Sequence, residues 1–131
     1  MPALDYSPLV ERYFAHPIGA GAWPAGAAEG AETAVGEAGS EELGTRVRFS
    51  LRTARGAVTE ARFQAFGCPH TIAAASWLAE HLRGRALDQA MPMPILELGR
   101  LLEVPTEKLG RLLVVEDALR AALARAETRQ E

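Results

Sequence analysis

The sequence predicts an α+β fold, a small antiparallel sheet with helices packed on one face. Three observations predict it. Two runs near the middle, "TRVRFSL" and "AVTEARFQAF", alternate apolar and polar residues with the period of two that a half-buried strand requires. After Pro69 the apolar spacing lengthens to the helical period and keeps it almost to the end. Helices therefore follow strands instead of alternating with them, which points to an antiparallel sheet covered on one side.

Each element has its own local cause. In "SPLVERYF", Ser7 stands as an N-cap and Pro8 at the first helical position, while Leu9, Val10, Tyr13 and Phe14 make an apolar side, so a short helix is expected to about Ala15. From Pro17 to Gly44 the chain is dense in Gly and Ala, with Pro24 near its middle, and reads as a loop region holding one short strand near "AETAV". Val47, Phe49 and Leu51 then alternate with Arg46, Arg48 and Ser50. The run "RTARG" supplies a turn, and Ala61, Phe63 and Ala65 mark the inward face of the returning strand, which makes the pair an antiparallel hairpin. Beyond Cys68, Pro69 opens a helix in which Ile72, Ala75, Leu78 and Leu82 recur at helical spacing until Gly84 stops it. "MPMP" cannot be a helix interior. "ILELGRLLEV" reads as a further helix, and "PTEKL" restarts one with Thr106 as its cap and Leu109, Leu112, Leu113, Leu119 and Leu123 along it. The closing "ETRQE" reads as a solvated, frayed tail.

A chain of 131 residues, 48% of them apolar, can bury one core, so a single domain over 1–131 is expected. A net charge of −3 and few aromatics give no field for nucleic acid. No apolar run approaches the roughly 20 residues of a membrane span, and the start lacks a charged-then-apolar signal pattern, so a cytoplasmic protein is expected. Cys68 is the one cysteine. It cannot close an internal disulfide or supply a four-ligand site alone.

Cys68 admits two readings. It falls where a strand gives way to a helix, and the open N–H groups and helix dipole there favour an anion, hence a reactive thiolate or a metal ligand. It is also the kind of residue that fills a core as a small hydrophobe. His70 could share a site with it as ligand or acid–base, although a histidine in a first helical turn more often faces solvent. Glu41 and Glu42 are candidate carboxylate donors or simply a solvated loop pair.

Taken together, "YSPLVERYFAHPIGAG", "GAVTEARFQAFGCPHTIAAASWLAEHLRGRALDQA" and "VPTEKLGRLLVVEDALRAALA" resemble the IscU/NifU N-terminal family of iron–sulfur cluster assembly scaffolds over nearly the whole chain. The resemblance implies an IscU/SufE-like fold and matches Cys68 to one of the family's three cluster-ligating cysteines. Where the family has a Cys-Gly-Asp loop, this chain reads "AGSEELG", with Ser40 or Glu41 at the cysteine position and Glu42 or Leu43 at the aspartate position. Where the family has His-Cys, this chain has Gly110 and Arg111, and the family's Leu-Pro-Pro-Val-Lys motif survives only as "VPTEK".

One thiolate does not converge on iron as three do, so no stable cluster held by this chain alone is expected. The resemblance points instead to a degenerate scaffold homologue in iron–sulfur cluster biogenesis. It would be a carrier and not an enzyme, accepting sulfane sulfur on Cys68 from a cysteine desulfurase as the SufE-type acceptors do, with Arg111 in the third cysteine's place stabilising the thiolate. Two alternatives stand beside this. One is an iron- or zinc-binding module built from Cys68, His70 and a carboxylate of Glu41 or Glu42, completed by a second subunit. The other is a non-catalytic regulator docked on a desulfurase, with Cys68 inert.

Overall fold

The computed structural model describes residues 6–21 and 32–130, and within them the fold is α+β. Helix α1 spans Pro8–Ala15; strands β1 (Glu32–Ser40), β2 (Thr45–Ala54) and β3 (Ala57–Phe66) follow; then come α2 (Pro69–Leu82), α3 (Ile95–Leu101) and α4 (Leu109–Gln130). The strands form one antiparallel sheet in the order β1-β2-β3.

The alternation in β2 turns Val47, Phe49 and Leu51 fully inward and leaves Arg46 and Arg48 outside. Ala61 and Phe63 bury from β3 opposite them. The hairpin turn is tighter than "RTARG" suggests, because pairing continues to Ala54 and Ala57 and only Arg55 and Gly56 bend the chain. Both have positive φ, 56° and 75°, the geometry whose twist matches the strands it joins. A register shift at Arg52/Thr53 leaves Thr59 unpaired, so Val58 as well as Ala61 faces the core.

Strand β1 corrects the expectation of one short strand in a loop. It runs nine residues, although "ETAVGEAGS" has only Thr33 and Val35 as β-branched residues and no aromatic. The reason is helix α4, which lies across β1 and β2. At Gly36 a Cβ would strike the backbone of Ala118 and Ala122, so glycine lets the helix seat directly on the strand. The middle of that Gly/Ala-rich stretch, 22–31, lies outside the described residues.

Helix α2 covers β3, and α1 covers α2. Val10 and Tyr13 of α1 are buried, while Phe14 remains 45% exposed. The outer edge of β3 is closed by two short passages: Gly21 N–H donates to Phe63 O at 2.8 Å and Phe63 N–H to Gly19 O at 2.8 Å, while Val58 N–H donates to Arg85 O at 2.9 Å. Two helix-end expectations are corrected. Thr106 makes no capping bond, because 106–108 form a 3-10 turn ahead of α4. The "ETRQ" segment is helical through Gln130, with the Thr128 hydroxyl donating to Ala124 O at 2.9 Å. No described helix is long and apolar enough to cross a membrane.

Candidate functional site

Three elements meet at one end of the sheet: the end of β3, the start of α2 and the start of α4. Gly67 follows β3 with φ 157°, and Cys68 is the N-cap of α2 in extended conformation (φ −82°, ψ 170°). The cysteine is half-buried, at the strand-to-helix junction where the sequence placed it. Pro69 at the first helical position removes one N–H from the turn, and the amides of His70 and Thr71 remain to face the sulfur.

Three side chains lie around the thiol and a fourth acts on His70. His70 Nδ1 lies 3.9 Å from Sγ and Thr71 Oγ1 lies 3.7 Å away. Arg111, in the first turn of α4, brings its guanidinium close enough to favour the thiolate of Cys68. Lys108, just before α4, places its charge near His70. Burial pushes the Cys68 thiol up, but the Thr71 amide, Arg111, the Thr71 hydroxyl and the His70 amide together outweigh it, so the thiol lies below its ordinary value.

His70 is a correction, since a solvent-facing histidine was the expectation. It is only 4% exposed, with the Tyr6 ring packed edge-on at 4.9 Å between centroids. Burial first, then the charges of Lys108 and Arg111, hold it below the usual histidine range, so it is neutral at physiological pH. The thiolate is therefore favoured by neutral donors and an arginine, without an imidazolium partner.

Glu41 and Glu42 sit exposed on the 41–44 turn between β1 and β2, and the hydroxyl of Ser40, the last residue of β1, accepts the Leu43 N–H at 3.2 Å. Glu41 turns to Arg46 at 3.9 Å. Among the described residues no three His, Cys, Asp or Glu side chains gather so as to hold a metal ion, so neither carboxylate completes a triad with Cys68 and His70. One thiolate and one buried imidazole do not make the ligand set of a cluster.

Sequence reasoning missed Thr71, Lys108 and Tyr6. Thr71 carried a readable signal, because the third helical position after an N-cap is where a side chain can return to the cap. Tyr6 and Lys108 carried none, since only the packing of α1 and α4 against α2 brings them to His70.

The pattern of the family described as the NifU-like N terminal domain matches residues 5–131. The nitrogen fixation protein NifU of Azotobacter chroococcum mcd 1 is 35% identical over 123 residues, covering 92% of this chain, while this chain spans only 38% of that relative's length. The iron–sulfur cluster assembly scaffold protein IscU of Escherichia coli K12 is 29% identical over 97 residues, 73% of this chain and 76% of the relative. Among solved structures, the N-terminal NifU-like protein of Brucella abortus superposes with a TM-score of 0.64 at 17% identity, over 93% of this chain and 94% of that one, a likeness of fold.

Proposed function

Since the chain belongs to the NifU-like N-terminal domain family, we propose that it serves iron–sulfur cluster assembly as a scaffold-type protein, and that its share of that work is to accept sulfane sulfur on Cys68 from a cysteine desulfurase. The single observation that supports sulfur acceptance over cluster building is the lone half-exposed thiol, brought below its ordinary value in part by the Arg111 guanidinium, in a site that lacks a second thiol. Persulfide transfer asks for one accessible nucleophile and no other ligand. The Cys68 thiolate attacks the outer sulfur of the donor's cysteine persulfide. A new S–S bond forms on Cys68 as the donor's S–S bond breaks, the donor cysteine leaves as a thiolate, and the proton of the persulfide stays with the transferred sulfur. No electrons are gained or lost overall. Arg111 offsets the negative charge on whichever sulfur bears it. We place this chemistry in the cytoplasm, where an unpaired thiol stays reduced.

The test is mass spectrometry of the intact protein after incubation with a cysteine desulfurase and cysteine. The expected product carries one added sulfur atom on Cys68, released by thiol reductant and absent in Cys68→Ser. No added sulfur, under conditions in which a SufE-type acceptor is loaded, would overturn the reading in favour of a docked regulator.

A further inference from the structure

Thr71 is fully buried in the first turn of α2, in the alanine-rich run "TIAAAS". Alanine there would have the higher helix propensity and no hydroxyl to desolvate, so a threonine at this position needs another reason. Its hydroxyl faces the Cys68 sulfur at 3.7 Å. The chain also makes room for it. At Gly67 a Cβ would come within 3.1 Å of Thr71 Oγ1, 3.2 Å of its Cβ and 3.3 Å of its Cγ2, closer than side chains ordinarily pack, so any residue but glycine would push Thr71 aside. The Arg111 guanidinium also favours the thiolate of this sulfur. A thiolate only accepts, so in the contact with Thr71 the hydroxyl is the donor.

We infer that Thr71 is a positioning residue for Cys68: its hydroxyl donates to the sulfur and fixes the side-chain rotamer that holds the thiolate over the α2 N-terminus and towards Arg111. The threonine methyl packs, and the hydroxyl orients. This rests on the sulfur-acceptor reading for its use, but its geometry does not depend on that reading.

The experiment separates hydroxyl from methyl. The rate of Cys68 alkylation by iodoacetamide at neutral pH, and the rate of persulfide acceptance from a cysteine desulfurase, are measured in the wild type, Thr71→Val and Thr71→Ser. Valine keeps the shape and loses the donor, and serine does the reverse. The expected result is a roughly five-fold slower reaction in both assays for valine, with its thermal melting curve retained, and near wild-type rates for serine. A purely structural role gives the opposite order, with valine normal and serine impaired, and that order overturns the inference. Wild-type rates in both variants overturn it too. If Thr71→Val does not fold, Thr71→Ala replaces it with the same expectation. Slowed alkylation in the valine variant of a protein that accepts no sulfur would sink the acceptor reading and leave the role of Thr71 standing.

Discussion

Helices α1 and α2 begin with the same device and spend it differently. Each has an extended N-cap followed by proline, Ser7-Pro8 in one and Cys68-Pro69 in the other, with φ, ψ of −62°, 157° and −82°, 170°. Ser7 uses the junction fully: its hydroxyl accepts from Val10 N–H at 3.2 Å, donates to Leu102 O at 2.7 Å, and is sealed in the core. Cys68 closes no capping bond of ordinary length and stays half-exposed. A neutral thiol is a weak acceptor, so the same amides that Ser7 would satisfy are left waiting for an anion. One junction fastens α1 to the end of α3, and the other holds a charge site open. On the proposed reading, the under-capped start of α2, with the Thr71 hydroxyl and the Arg111 guanidinium beside its cap atom, serves reactivity and not stability.

The largest way to break this contrast is to give α2 the cap that α1 has. Cys68→Ser is expected to abolish sulfur acceptance completely, while leaving stability unchanged or raising it by about 0.5–1 kcal/mol, because a hydroxyl caps where the thiol does not. Denaturant titration beside the persulfide assay checks both halves. A loss of more than 1 kcal/mol would mean that the sulfur is itself a structural cap.

The reverse change tests α1. Ser7→Ala removes the cap to Val10 and leaves the buried Leu102 carbonyl without its donor, for an expected loss of about 2 kcal/mol. Tyr6 rides on the same turn and packs on His70, so the variant should also expose the imidazole, visible as a shift in its NMR resonance. An unchanged melting curve would show that the Ser7 bonds contribute nothing net.

What the sequence could show of these regions follows from how local each feature is. The Ser7 cap, the β2 alternation and the α2 period are written within one turn or one strand, and the structure has them. Strand β1 is not written locally, because its small residues are chosen for contact with α4, far along the chain. The same holds at the site. The junction at Cys68 was readable from a strand ending before a Cys-Pro pair, whereas the nearness of Arg111 was implied only by the family resemblance. The burial of His70 depends on Tyr6, and a one-dimensional pattern cannot see a ring arriving from the first turn of the molecule.

Arg111 offers a sharper and smaller test. Its guanidinium is one of the influences that bring the Cys68 thiol below its ordinary value, and burial opposes it. Removing it in Arg111→Ala should raise the thiol pKa, so the pH profile of Cys68 alkylation moves to higher pH and the rate at neutral pH falls several-fold. Coincident profiles would remove Arg111 from the activation of the thiol and leave the helix N-terminus and Thr71 to account for it.

The smallest expected effect concerns the neutral neighbour. His70 is held below its ordinary 6.5, first by burial and then by Lys108 and Arg111. Well above pH 6.5 both folded and unfolded chains carry it uncharged and it contributes no pH dependence. As pH falls below that value the unfolded state takes the proton first, so stability falls with pH until the folded-state pKa is passed, below which the loss is complete. The sign is that of a base with a depressed folded pKa: the unfolded state binds more protons, and stability rises with pH across the window. Carboxylates titrate mainly below this range, and His16 and His81 remain in both proteins, so the difference between wild type and His70→Asn isolates the one group. Denaturation midpoints measured from pH 7 down to pH 5 should give a steeper fall in the wild type than in the variant, whatever the variant's absolute stability. Parallel curves would mean that His70 titrates alike folded and unfolded, that the imidazole is free to charge beside Cys68, and that the thiolate has a cationic histidine for a partner after all.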